Sequence, residues 1–186
     1  MITERAKEGF DHLIREALKS SLNPSLEDVC DIENADVDGS QIKEEEIVVL
    51  TISSYLFRII TFFYFTLNDS TKAHFARSTR TQASDMNDKD FHDAIGEFGN
   101  MFSGALNRHV GKYFPYVGLS TPNILEKSCA DYINSLDVDY IRHFTIAING
   151  VTLFHASLCI CDYAELDFIL DKTNEEDSSA GELELF

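Results

Sequence analysis

Positive charge is scarce in this chain of 186 residues: fifteen lysines and arginines stand against thirty-two acids, a formal charge of −17. Phosphate repulsion at that balance argues against nucleic acid as a partner and suits a protein partner with a basic surface. Long hydrophobic runs are missing too. The longest, Ile59 to Phe65, is interrupted by Thr61 and falls far short of the eighteen or more residues of a membrane span, so it reads as a buried strand and no membrane association is expected. The amino terminus, Met-Ile-Thr-Glu-Arg-Ala-Lys-Glu, has no hydrophobic signal segment, which makes the cytoplasm the expected location. Cysteine is sparse: Cys30, Cys129, Cys159 and Cys161 form no C-x-x-C pair and are expected to be reduced. His155, Cys159 and Cys161 share one face of a strand, but the fourth ligand and the turn between ligand pairs that zinc favours are absent. No metal and no cofactor of the chain's own is therefore expected.

What is present suffices for one domain with a sizeable core. The negative charge is concentrated in residues 27–46, with nine acids and one lysine, and in residues 171–186, with six acids and one lysine. The second run reads as an acidic C-terminal tail, leaving residues 1–170 as the domain. A helix is expected from about Thr3 to Ser21, its inner side formed by Ala6, Phe10, Leu13, Ile14, Ala17 and Leu18, ended by Asn23-Pro24. The acidic stretch to Glu46 is a long connection with room for a short strand or helical turn. Two β-hairpins follow. The first pairs Glu46–Ser53 with residues 57–67, whose apolar residues on both faces mark a central strand. The second pairs Tyr140–Ile148 with Val151–Asp162 across Asn149-Gly150, a dipeptide suited to a turn in which both central residues have positive φ. Each hairpin is expected to run into a helix, over residues 70–80 and 164–170. Leu50-Thr51-Ile52 and Phe144-Thr145-Ile146 occupy matching places, consistent with an internal duplication.

Between the hairpins lies the most informative segment, a long helix expected from about Asn87 to Phe114. Phe91, Ile95, Phe98, Phe102, Ala105 and His109 recur every three or four residues and form its core face. Asp93, Glu97, Asn100, Gly104 and Asn107 recur with the same spacing two positions later, about 200° around the helix, and face outward. Gly96 and Gly99 each weaken a helix interior by about 1 kcal/mol relative to alanine. Placed beside an acid and a carboxamide, they point to the close approach of a partner or a neighbouring helix.

This pattern resembles the chemotaxis phosphatases CheC, CheX and FliY. Their signature is Asp or Ser, three residues, Glu, two residues, Asn, and a proline some twenty residues on. Asp93, Glu97 and Asn100 match the first three positions, Pro122 is a plausible fourth, and Gly104 also matches the family's helix. CheC carries two Glu-x-x-Asn copies, whereas here Asp131-Tyr-Ile-Asn134 has the interval but the wrong acid, so the single motif is more like CheX. The resemblance implies an α+β, CheC-like fold with an antiparallel sheet of about six strands, two long helices on one face, and duplicated α-β-β units.

It also implies a function: accelerating hydrolysis of the aspartyl phosphate on a CheY-like response regulator. Asn100 would orient the attacking water, Glu97 would pair with the receiver's lysine, and Asp93 and Gly104 would contact the partner. A divalent metal, Mg²⁺, would come with the receiver. CheX-type chains pair through their sheets, so a homodimer is expected. The alternatives are a non-catalytic receiver-binding module and an interaction protein of the flagellar switch.

Overall fold

The computed structural model describes residues 1–23, 28–35, 41–79 and 81–171, with the side chains of residues 78, 79, 134 and 135 left aside. The acidic tail expected at 171–186 therefore lies outside the described residues apart from Asp171. The first helix, α1 (Glu4–Leu22), starts at Thr3, whose hydroxyl accepts the Ala6 N–H at 3.1 Å. This bond satisfies one of the donors that a helix start leaves free. All six of its expected inner residues are buried. The strand β1 (Cys30–Asn34) occupies part of the acidic connection. Then come β2 (Glu46–Ser53), β3 (Phe57–Phe65) and α2 (Asp69–Thr79). The long helix α3 (Asp88–Gly111) follows, then the short strands β4 (Gly118–Leu119) and β5 (Asn123–Glu126). A 3₁₀ segment (Lys127–Ser135) leads to β6 (Tyr140–Ile148) and β7 (Val151–Asp162).

All strands belong to one antiparallel sheet in the order β1-β6-β7-β3-β2-β4, with β5 also on β2 beside β4. The central position of β3 explains its two apolar faces. Phe57, Ile59, Phe63 and Phe65 pack towards the three helices, while Ile60, Phe62 and Tyr64 meet a second layer formed by Ile42, Ala130 and Ile133. The expected two-helix cover is thus completed by α2, and the opposite face is closed by the 3₁₀ segment. The β6–β7 turn has Asn149 at φ 51° and Gly150 at φ 79°, the geometry its dipeptide favours. Asn149 also fastens the approach to β1, accepting the Val29 N–H at 2.9 Å and donating to Asp28 at 2.6 Å.

The helix expected after β7, over 164–170, is not formed. The chain there is extended: Leu166 bridges Ile2 in parallel, exchanging hydrogen bonds with Met1 and Thr3 at 3.1 Å. Burial alternates, with Leu166 buried, Phe168 half-buried, and Asp167 and Ile169 exposed. The Phe168 ring lies over Gly9, where a Cβ would overlap it, and joins Phe10, Tyr113 and Phe114 in an aromatic cluster. Docking against α1 gives this segment a period of two, and no helical face is needed.

Candidate functional site

The helix α3 begins at a capping box: Asn87 Oδ1 accepts the Asp90 N–H at 3.0 Å and the Asp90 carboxylate accepts the Asn87 N–H at 3.4 Å. With both ends of that exchange satisfied, the register of the helix is fixed from its first turn. Phe91, Ile95, Phe98 and Phe102 are buried, and the Phe98 ring sits 4.4 Å from that of Phe63 on the sheet. These anchors turn the opposite stripe outward. Asp93, Glu97 and Asn100 are all exposed, as their spacing predicts. Among the described residues none of their side chains is engaged in a hydrogen bond or ion pair. The stripe then fades: Gly104 and Asn107 are half-buried, and Asn107 Oδ1 is enclosed without a partner.

The two glycines have different surroundings. Among the described residues, a Cβ on Gly96 would meet nothing within 4 Å. A Cβ on Gly99 would stand 2.9 Å from Pro122 Cβ, 3.0 Å from Pro122 Cγ and 3.2 Å from Val48 Cγ1. The close neighbour at Gly99 is neither of those expected, a partner or a helix, but a loop and a strand of the same chain. Gly96 has no such neighbour, and its open backbone lies between Asp93 and Asn100 on the exposed side.

Pro122 reaches Gly99 through a fault in the sheet edge. Leu119 pairs with Ile52 and Asn123 with Val49, so Ser120, Thr121 and Pro122 stand opposite only Leu50 and Thr51. One extra residue makes a β-bulge, a feature common at edges and beside functional sites. Proline fits there because it has no N–H to offer a ladder. Ser120 pins the bulge, donating its N–H to the Thr51 carbonyl at 2.8 Å and accepting the Thr51 N–H on Oγ at 3.0 Å. Pro122, distant in sequence, thus packs on the buried side of α3 at Gly99, the position next to Asn100. The bulge itself was not visible in the sequence; the proline in Ser-Thr-Pro-Asn was its only signal.

His92 ties the start of the site to the sheet. Its Nε2 lies 3.0 Å from Glu46 Oε1 on β2 and its Nδ1 2.8 Å from the Asp88 carbonyl. Partial burial pulls its pKa down, but the hydrogen bonds to Glu46 and Asp88 outweigh that, and the net direction is upward. His109, placed on the apolar stripe by its spacing, is half-buried with Nδ1 3.5 Å from the Leu13 carbonyl, and burial lowers its pKa. Neither ring points to a role as nucleophile. On β7, His155 pairs with Glu44, and Cys161 Sγ donates to the Leu136 carbonyl at 3.5 Å.

The two long helices pack antiparallel, with Phe10 stacked on Phe114 and Leu13 beside His109. Six of the eight buried positions of α1 have buried counterparts: Ala6, Phe10, Ile14, Ala17, Leu18 and Leu22 match Ala94, Phe98, Phe102, Ala105, Leu106 and Val110 at one constant offset. In that register Gly9 and His12 stand where α3 has Glu97 and Asn100. The acid–amide pair exists on one helix alone.

No protein-family model matches the chain, and no curated protein matches it in sequence. Solved structures do match in fold. A chain in the CheX–CheY–BeF3–Mg²⁺ complex from Borrelia burgdorferi aligns with a TM-score of 0.62 at 11% identity, over 84% of this chain and 97% of that one. A chemotactic CheC-like protein from Shewanella oneidensis gives 0.61 at 12% identity, over 83% and 99%. CheX from Desulfovibrio desulfuricans gives 0.56 at 16% identity, over 85% and 99%. The fold is that of the CheX and CheC-like proteins: an antiparallel sheet carrying its long helices on one face.

Proposed function

We propose that this chain accelerates hydrolysis of the aspartyl phosphate on a CheY-like receiver, using Glu97 and Asn100 on the exposed face of α3. The observation that carries this reading is the pair itself. An unengaged carboxylate and carboxamide stand one turn apart on a helix anchored by aromatic residues, in a fold shared with a CheX chain crystallised with CheY.

Phosphoryl transfer depends on positioning and electrostatics more than on covalent help. The receiver brings its own Mg²⁺ and lysine, so what remains to be supplied is a water held in line with phosphorus. A carboxamide suits that task because it both donates and accepts hydrogen bonds and does not titrate. Asn100 is the group that enters the receiver's site and orients the water. Glu97 forms an ion pair with the receiver lysine and sets the register, with Asp93 and Gly104 at the edge of the contact. Rigid anchoring of α3 by Phe91, Phe98 and Phe102 means that little side-chain order has to be created on binding beyond that of the pair.

The test is phosphate release from a phosphorylated receiver. Asn100→Ala should fold normally and lose about 10²-fold of the acceleration, the scale of a lost positioning contact. Glu97→Ala should raise KM and retain most of the rate at saturating receiver, since it removes one end of an interfacial ion pair. Wild-type release by Asn100→Ala would refute the enzyme reading. A wild-type protein that binds the phosphorylated receiver without ever accelerating release would instead be a binding module.

A further inference from the structure

The short contact between Gly99 and Pro122 lies one residue from Asn100, at a buried position that also meets Val48 of the core. The bulge Ser120–Pro122 is held from two sides. Ser120 anchors it to Thr51 on β2, and Pro122 rests on α3 at Gly99, where a Cβ would collide with it. The obstructing atoms are Cβ and Cγ of a proline ring and a Val48 methyl, none of which is the far end of a flexible chain. A methyl at position 99 would force Pro122 and Val48 away from the helix, by a shift of the bulge and strand or of α3 itself. Thr121 and Asn123, on either side of Pro122, are exposed, and Pro122 itself sits on the helix position next to the exposed Asn100.

We propose that Gly99 is a positioning residue: by letting Pro122 seat directly on α3, it sets the height of the Ser120–Pro122 bulge beside Asn100. That height limits how near a docked receiver can come to the Asn100 amide. This rests on the role given to Asn100 above, and it adds a second element, a loop from the sheet edge, to what controls the reaching distance. Positioning catalysis is steep in distance, and a misplacement of about 1 Å can cost 10²-fold. A bulge displaced by part of that should reduce turnover while leaving the Glu97 contact able to bind.

The experiment compares Gly99→Ala, Pro122→Gly and the double variant with wild type. Gly111→Ala, at the end of the same helix, serves as control, since a Cβ there meets Val117 at an ordinary 3.8 Å. Gly99→Ala should lower release at saturating receiver by about tenfold, with receiver affinity within about threefold of wild type. Pro122→Gly removes both ring contacts and should also lower turnover, because the bulge loses its seat. In the double variant the alanine methyl occupies space vacated by the ring, so turnover should recover above that of either single variant. A double variant no better than the worse single, or a Gly99→Ala enzyme with wild-type turnover, overturns the proposal. Should Gly99→Ala fail to fold, wild-type turnover in Pro122→Gly overturns it equally. Amide chemical shifts supply a readout independent of catalysis: Gly99→Ala should move Thr51, Ser120 and Thr121, and unmoved shifts refute the seat. If wild type accelerates no receiver, the proposed function fails on its own, and these shifts still decide whether Gly99 sets the bulge.

Discussion

At the scale of single residues, Gly96 and Gly99 look alike in sequence and differ in cause. Gly99 is required by Pro122, whereas Gly96 faces open space, and no local pattern separates the two because the distinguishing neighbour is a bulge some twenty residues away. Gly96→Ala should therefore stabilise the free protein by up to about 1 kcal/mol, seen as a higher urea midpoint. It should also weaken receiver binding if the partner's backbone comes close there, so stability and docking move in opposite directions. Glu97 and Asn100 were legible because the apolar stripe of α3 left only one outward side for them. His74 was not. It lies at 2% exposure with Nδ1 lacking a partner among the described residues, and burial, helped by Arg77 and opposed by Asp28, depresses its pKa to about 4. The native state therefore keeps the ring neutral while the unfolded chain takes up a proton below about 6.5, so stability is lost as pH falls from about 6.5 towards 4. The full effect of such a shift is about 3 kcal/mol. Urea titrations across that range should show a shallower acid loss for His74→Phe than for wild type.

Elements whose ends are written in local chemistry were readable closely, although α3 ends at Gly111, short of the expected Phe114; those that exist only through pairing were not. The hairpin at Asn149-Gly150 and the Thr3 and Asn87 caps belong to the first kind: each depends on side chains within a few positions. The strands β4 and β5 belong to the second, as does β1, for which only room for a short strand was legible. They are short edge strands, defined by partners far along the chain, and β5 has only a half-buried isoleucine as apolar anchor. The segment 164–170 is the instructive error. Analogy with the helix after the first hairpin suggested another helix, but its alternation of Leu166, Phe168 and Leu170 fits an extended strap over α1. Phe168→Ala should cost about 2 kcal/mol, less than truncation of a fully buried phenylalanine. The loss should appear in the denaturation midpoint and in faster amide exchange of Thr3, which donates to Leu166.

At the scale of the whole molecule, the duplication suggested by two similar tripeptides corresponds to a sheet with matching halves. The hairpins β2–β3 and β6–β7 meet along the β3–β7 ladder. The single acid–amide pair is where the halves diverge. Among the described residues the outer edges of β1 and of β4 and β5 have no strand beyond them, and such edges invite pairing. A homodimer formed at an edge is expected in light scattering at micromolar concentration, and a persistent monomer would exclude it without touching the catalytic proposal. The sheet order carries one more consequence. The strand after α1 pairs with β6 of the second half, and the strands after α3 pair with β2 of the first. Each half lends its outer strand to the other, as two subunits do when they exchange arms. A fragment ending before α3 would hold β3 with one neighbour missing and β1 with none, so it has no closed sheet to fold into. During synthesis the amino-terminal half must wait for the last strand to emerge, and two separately expressed halves should be disordered alone and regain structure only when mixed.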